Sequence, residues 1–139
     1  MESWLTHLIS FLFGTATGAS GSYFATKYTD KRRKNEERNK LKSIFKEIQG
    51  IMPELIREMK NDFNDPKSIA IREFAILPND RVLFNSGQSR FIYYENQHSD
   101  LRGKVSILEN HNFVYDVTPG NTPIFRITED FWKIVQSTK

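Results

Sequence analysis

The chain contains no cysteine. That excludes a disulfide framework and any thiolate metal site, and it suits a reducing compartment. Histidine is almost as scarce. Only His98 and His111 lie outside the opening stretch, and no H-E-x-x-H spacing accompanies them, so no zinc site is expected. Gly87, Gly103 and Gly120 are isolated, so there is no glycine-rich loop to cradle a phosphate. His98-Ser99-Asp100 offers the residue types of a triad, but a nucleophile, a base and an orienting group are a matter of space, not of adjacency. The sequence points to no catalytic residue, no metal and no cofactor.

Charge is missing too, but only locally. No charged residue occurs from Ser3 to Thr26, a run of 24. A helix needs about 20 residues to cross a bilayer core. Trp4 stands at one end of the run and Tyr23 and Tyr28 at the other, where amphipathic rings favour a lipid–water boundary. The run therefore reads as a transmembrane helix over residues 1–27. Gly14 and Gly18 form G-x-x-x-G, and Gly21 extends the small-residue face, which is the pattern for close helix–helix packing and self-association. A cleaved signal peptide is the rival reading. Such signals place positive charge before the apolar run, whereas here Glu2 precedes it and the positive charge follows.

What is present is a compact basic patch. Lys27 to Lys42 holds eight positive and three negative residues, while residues 64–139 carry nine of each sign. The basicity is local. Lys27, Lys31, Arg32, Arg33 and Lys34 directly follow the uncharged run, and the positive-inside rule then predicts a single-pass protein of the cell (inner) membrane. Its N-terminus would lie outside and its C-terminal domain in the cytoplasm. The same cations would rest against anionic headgroups of the lipid bilayer. The alternative for this patch is a nuclear-localisation or nucleic-acid site.

Leu41, Ile44, Ile48, Ile51 and Leu55 recur at gaps of three and four, a helical stripe. They suggest a stalk over residues 28–52 with oligomer contacts, interrupted by Gly50 and Pro53. Two helices are expected, one from about Tyr28 to Gln49 and one starting near Pro53; a single kinked helix continuous with the span is the alternative. Beyond it, Asp65-Pro66 marks a break, and "IREFAIL" reads as strand or helix. Ser99 can cap a helix carrying Leu101, Val105, Ile107 and Leu108. "FVYDVT" alternates as a strand does, "PGN" turns the chain, "PIFRIT" returns, and Thr128 opens a final helix.

Helix, two-stranded ribbon and helix, in "ILENHNFVYDVT…PIFRIT", resemble the back half of a winged helix-turn-helix. "PELIREMKNDF" would serve as its first helix and "RFIYYENQH" as its second. The expected fold class is thus α+β: a single transmembrane helix, a helical stalk and a small winged-helix-like domain over 53–139. The resemblance implies DNA binding first, through Arg102 and Lys104 on the third helix. That helix is neutral overall, and phosphate neutralisation demands clustered cations, so a protein-binding module is preferred. Phe91, Tyr93, Tyr94 and Trp132 would supply either interface anchors or core. The function expected is a membrane-anchored adaptor, sensor or small membrane effector that forms homo-oligomers and binds an unknown cytoplasmic protein. A membrane-tethered DNA-binding regulator is the alternative.

Overall fold

In the computed structural model the backbone is described for residues 2–85 and 87–139, and side chains are described except at residues 2, 3, 5, 6 and 11–20. The chain divides into two compact units, Met1–Ser43 and Ile44–Lys139. The first is helical throughout its described residues, as the first part of α1 (Glu2–Ile51). The helix expected to begin at Tyr28 thus runs on from the uncharged stretch without a break.

The transmembrane reading does not survive. Among the described residues no helix is long and apolar enough to cross a membrane. The reason lies in composition. Ser, Thr and Gly make up eleven of the 24 residues from Ser3 to Thr26, and each dilutes the apolar transfer free energy of its neighbours. Absence of charge had stood in for presence of hydrocarbon. The single-pass inner-membrane location, with its outside N-terminus and cytoplasmic domain, falls with the span.

The second unit has α+β content. It contains the end of α1, then α2 (Pro53–Asn64), a short 3-10 turn (Pro66–Ser68), β1 (Glu73–Leu77), β2 (Phe91–Tyr94), α3 (Leu101–Asn110), β3 (Val114–Asp116), β4 (Ile124–Ile127) and α4 (Glu129–Ser137). Met52 leaves helical geometry at φ −132°, ψ 61°, and Pro53 opens α2, where its missing N–H costs nothing. The four strands form one sheet in the order β2-β1-β4-β3. β1 runs parallel to β2 and antiparallel to β4, and β3–β4 is the expected hairpin. A parallel return needs a dozen or more residues, and thirteen separate Leu77 from Phe91.

"RFIYYENQH" is not a helix. Phe91 to Tyr94 form β2, with Phe91 and Tyr93 buried and Ile92 and Tyr94 half-buried, the period-two pattern that Phe, Ile and Tyr favour. A strand stands where the winged-helix reading placed its second helix. The α3 cap also differs from expectation. Asp100, in left-handed geometry at φ 49°, occupies the cap without a side-chain hydrogen bond. At α4 the expectation holds, since Thr128 Oγ1 accepts from the Phe131 backbone N–H at 3.3 Å.

Aromatic rings fill the core between sheet and helices. Phe63 of α2 stacks on Trp132 of α4 at 4.3 Å, and Phe131 stacks on Phe113 at 5.1 Å. Arg72 lies over the outer side of this stack, its Cζ 3.7 Å from the Trp132 ring centroid, within cation–π range. Phe91, Tyr93 and Trp132 are thus core rather than interface anchors.

Candidate functional site

The surface with the strongest chemical character lies on α1. From Thr29 to Lys40 the helix has no apolar residue, and every side chain in that stretch is exposed. Two Arg–Glu pairs form at helical spacing: Arg32 Nε to Glu36 Oε1 at 3.1 Å and Arg33 Nε to Glu37 Oε1 at 4.0 Å. Such pairs neutralise the sides of the helix on which they sit. Lys27, Lys31, Lys34 and Arg38 are left without an ion-pair partner among the described residues. At steps of four, three and four they fall within an arc of about 60°. They line one shallow exposed face together with Tyr23, Thr26, Asp30 and Asn35.

The five cations singled out from sequence therefore divide. Lys27, Lys31 and Lys34 share the open face, whereas Arg32 and Arg33 are engaged elsewhere. Arg38 belongs with the open group, and its signal was present in the spacing. Gly21 has nothing within 4 Å of where a Cβ would stand. The surroundings of Gly14 and Gly18 lie outside the described residues. Of the stripe assigned to oligomer contacts, Ile48 and Leu55 are buried in the second unit, Leu41 and Ile44 are half-buried, and Ile51 is 58 % exposed.

Apolar side chains are also exposed along α1. Trp4, Leu8, Ile9, Tyr23, Phe24 and Tyr28 all face outward. At 100° per residue they do not share one stripe but spread around much of the helix.

In the second unit, Arg102 Nε donates to Glu95 Oε1 at 2.5 Å and Lys104 is half-buried. Arg102 is therefore engaged, while Lys104 has no ion-pair partner among the described residues. A polar cluster that sequence reading missed joins α2 to β2 and the turn that follows it. Glu58 and Asp62 lie one turn apart. The buried Tyr93 hydroxyl donates to Asp62 Oδ2 at 3.0 Å, and the buried His98 bonds through Nε2 to Glu58 Oε2. Burial pushes the Asp62 carboxyl above the usual carboxylate range, the Tyr93 bond partly opposing it. Burial also drives the Tyr93 phenol well up. A neutral phenol fixed on a carboxylate, with an imidazole sealed beside it, ties helix to strand.

On the sheet, Glu73 sits between two guanidiniums, Arg126 and Arg90, at 2.8 Å each. The Arg126 hydrogen bond leads in holding the Glu73 carboxyl below its ordinary range. Glu73 is paired in register with Arg126 across β1 and β4, so the ladder follows from strand pairing that no local motif announces.

No family model, no curated protein and no solved structure matches this chain.

Proposed function

We propose that this protein is an interaction module that self-associates through α1 and presents its small α+β domain to a protein partner. The observation that supports this is the set of six exposed apolar side chains on α1, from Trp4 to Tyr28. Covering one large apolar side chain fully is worth about 1.5–3 kcal/mol, and helices apolar on several sides are normally covered on several sides. Most helical stability in proteins comes from such packing. A second copy is favoured as the cover because Gly21 leaves room for close backbone approach on this helix. On the domain, the β1–β2 connection offers Leu83, which is 98 % exposed, with Val82 beside it. That is where a protein partner would find an apolar anchor.

Duplex recognition through α3 has less behind it. Arg102 is held by Glu95, and the helix carries a net charge of only +1, from Arg102, Lys104 and Glu109.

The chain has no thiol of its own, so an introduced one reports contact between copies cleanly. In the Gly21→Cys variant, mild oxidation is expected to give a covalent dimer of the full chain within minutes. An Asn61→Cys variant, with its thiol on exposed α2 surface, is expected to stay monomeric under the same conditions. Equal yields from the two positions, or none from either, would reject α1 as the contact.

A further inference from the structure

We propose that Lys27, Lys31, Lys34 and Arg38 form a polyphosphate-binding stripe that takes duplex nucleic acid along its sugar–phosphate backbone. This does not rest on the self-association reading, because Lys31, Lys34 and Arg38 lie on a charged part of α1 that such packing does not require, and only Lys27 stands among the exposed rings of Phe24 and Tyr28.

Four observations carry it. The cations are aligned along the axis over about 16 Å, at about 1.5 Å rise per residue, and over that length a duplex presents roughly ten phosphate charges. They lack ion-pair partners among the described residues, while Arg32 and Arg33 are bound to Glu36 and Glu37, so the unpaired charge between Lys27 and Arg38 collects on one side of the helix, with Lys40 and Lys42 unpaired beyond it. Only Asp30 opposes them on that face, leaving a net excess of three. Asn35, on the same face, adds a neutral amide that hydrogen-bonds phosphate oxygens or base edges.

The same observations weigh against an anionic bilayer. A helix that lies on lipid sinks an apolar face beside its cationic one. Lys31, Lys34 and Arg38 stand in a stretch, Thr29 to Lys40, with no apolar residue, so that part of the stripe works by charge alone, and Tyr23 borders it only at the Lys27 end. Attraction of that kind fits a linear polyanion, whose bound counterions are released on contact.

The test is fluorescence anisotropy of a short labelled mixed-sequence duplex against the full chain, titrated from roughly 50 to 200 mM salt. With four phosphates neutralised, the slope of log affinity against log salt is expected near about −3.6, a loss of about a hundredfold across that range. The triple variant Lys31→Gln, Lys34→Gln, Arg38→Gln is expected to flatten the slope to about −0.9, a loss of less than about fourfold. All three positions are exposed, so circular dichroism should be unchanged. Replacing the Arg32–Glu36 pair by two glutamines leaves net charge as it is, and is expected to alter affinity less than twofold. The proposal fails if the duplex does not bind at the low-salt end, or if the triple variant keeps the full slope. It also fails if phosphatidylserine–phosphatidylcholine vesicles bind more tightly than the duplex and depend on the same three residues.

Discussion

Asp62 and Glu73 are two carboxylates with opposite pH behaviour, and each can be isolated by one substitution. The folded chain raises the Asp62 pKa, chiefly by burial. A raised carboxyl pKa gives stability that is full below the unfolded value, near about 3.9, and is lost as pH rises through the folded value. Asp62→Asn keeps an acceptor for the Tyr93 hydroxyl and removes the charge. It is therefore expected to match or exceed the parent's urea midpoint at pH 7 and to lose that advantage near pH 4. A midpoint that falls at pH 7 would mean the charged form is the favoured one. Glu73 is lowered, with Arg126 the leading cause. Its stability is present above the unfolded value, near about 4.3, and is lost as pH falls through the folded value. Glu73→Gln is expected to lower the midpoint at neutral pH and to leave a flatter acid limb, read in the same titration. Neither carboxylate was legible in the sequence as special. Their partners lie 31 residues away at Tyr93 and 53 away at Arg126, and no local pattern encodes contacts at such separation.

At the scale of elements, local chemistry was legible where it was sufficient to decide the structure. Thr128 followed by Glu129 and Asp130 announces α4, and "FVYDVT" with "PIFRIT" announces the hairpin. Thr128 also donates from Oγ1 to the Phe113 carbonyl at 3.0 Å, so Thr128→Ala removes a cap and a loop tie together. A loss of about 1–2 kcal/mol is expected in equilibrium unfolding, and a loss below about 0.5 would contradict the pairing. One element differs from expectation for a physical reason. Phe91-Ile92-Tyr93-Tyr94 has strand chemistry, and the resemblance to a winged helix overrode it. The stripe from Leu41 to Leu55 breaks at Met52, which leaves helical geometry just before Pro53. Met52 is buried at that point, and Ile51, the last residue of α1, is exposed. Ile48 and Leu55 are buried in the second unit.

For the whole molecule, the α+β content could be read from sequence, and neither the membrane crossing nor the division between Ser43 and Ile44 could. A long uncharged run is a necessary feature of a span, but hydropathy decides, and the Ser, Thr and Gly content of Ser3–Thr26 is high. The same run exposes Trp4, Leu8, Ile9, Tyr23 and Phe24, which makes covering of α1 by another copy the central claim. Sedimentation velocity of the full chain over a wide concentration range tests it most directly, with the Phe24→Lys variant alongside. The account predicts a concentration-dependent rise to a species larger than one chain for the parent, and a shift of that rise to at least tenfold higher concentration for the variant. A parent that sediments as a single chain at every concentration, or a variant that associates as the parent does, would contradict it.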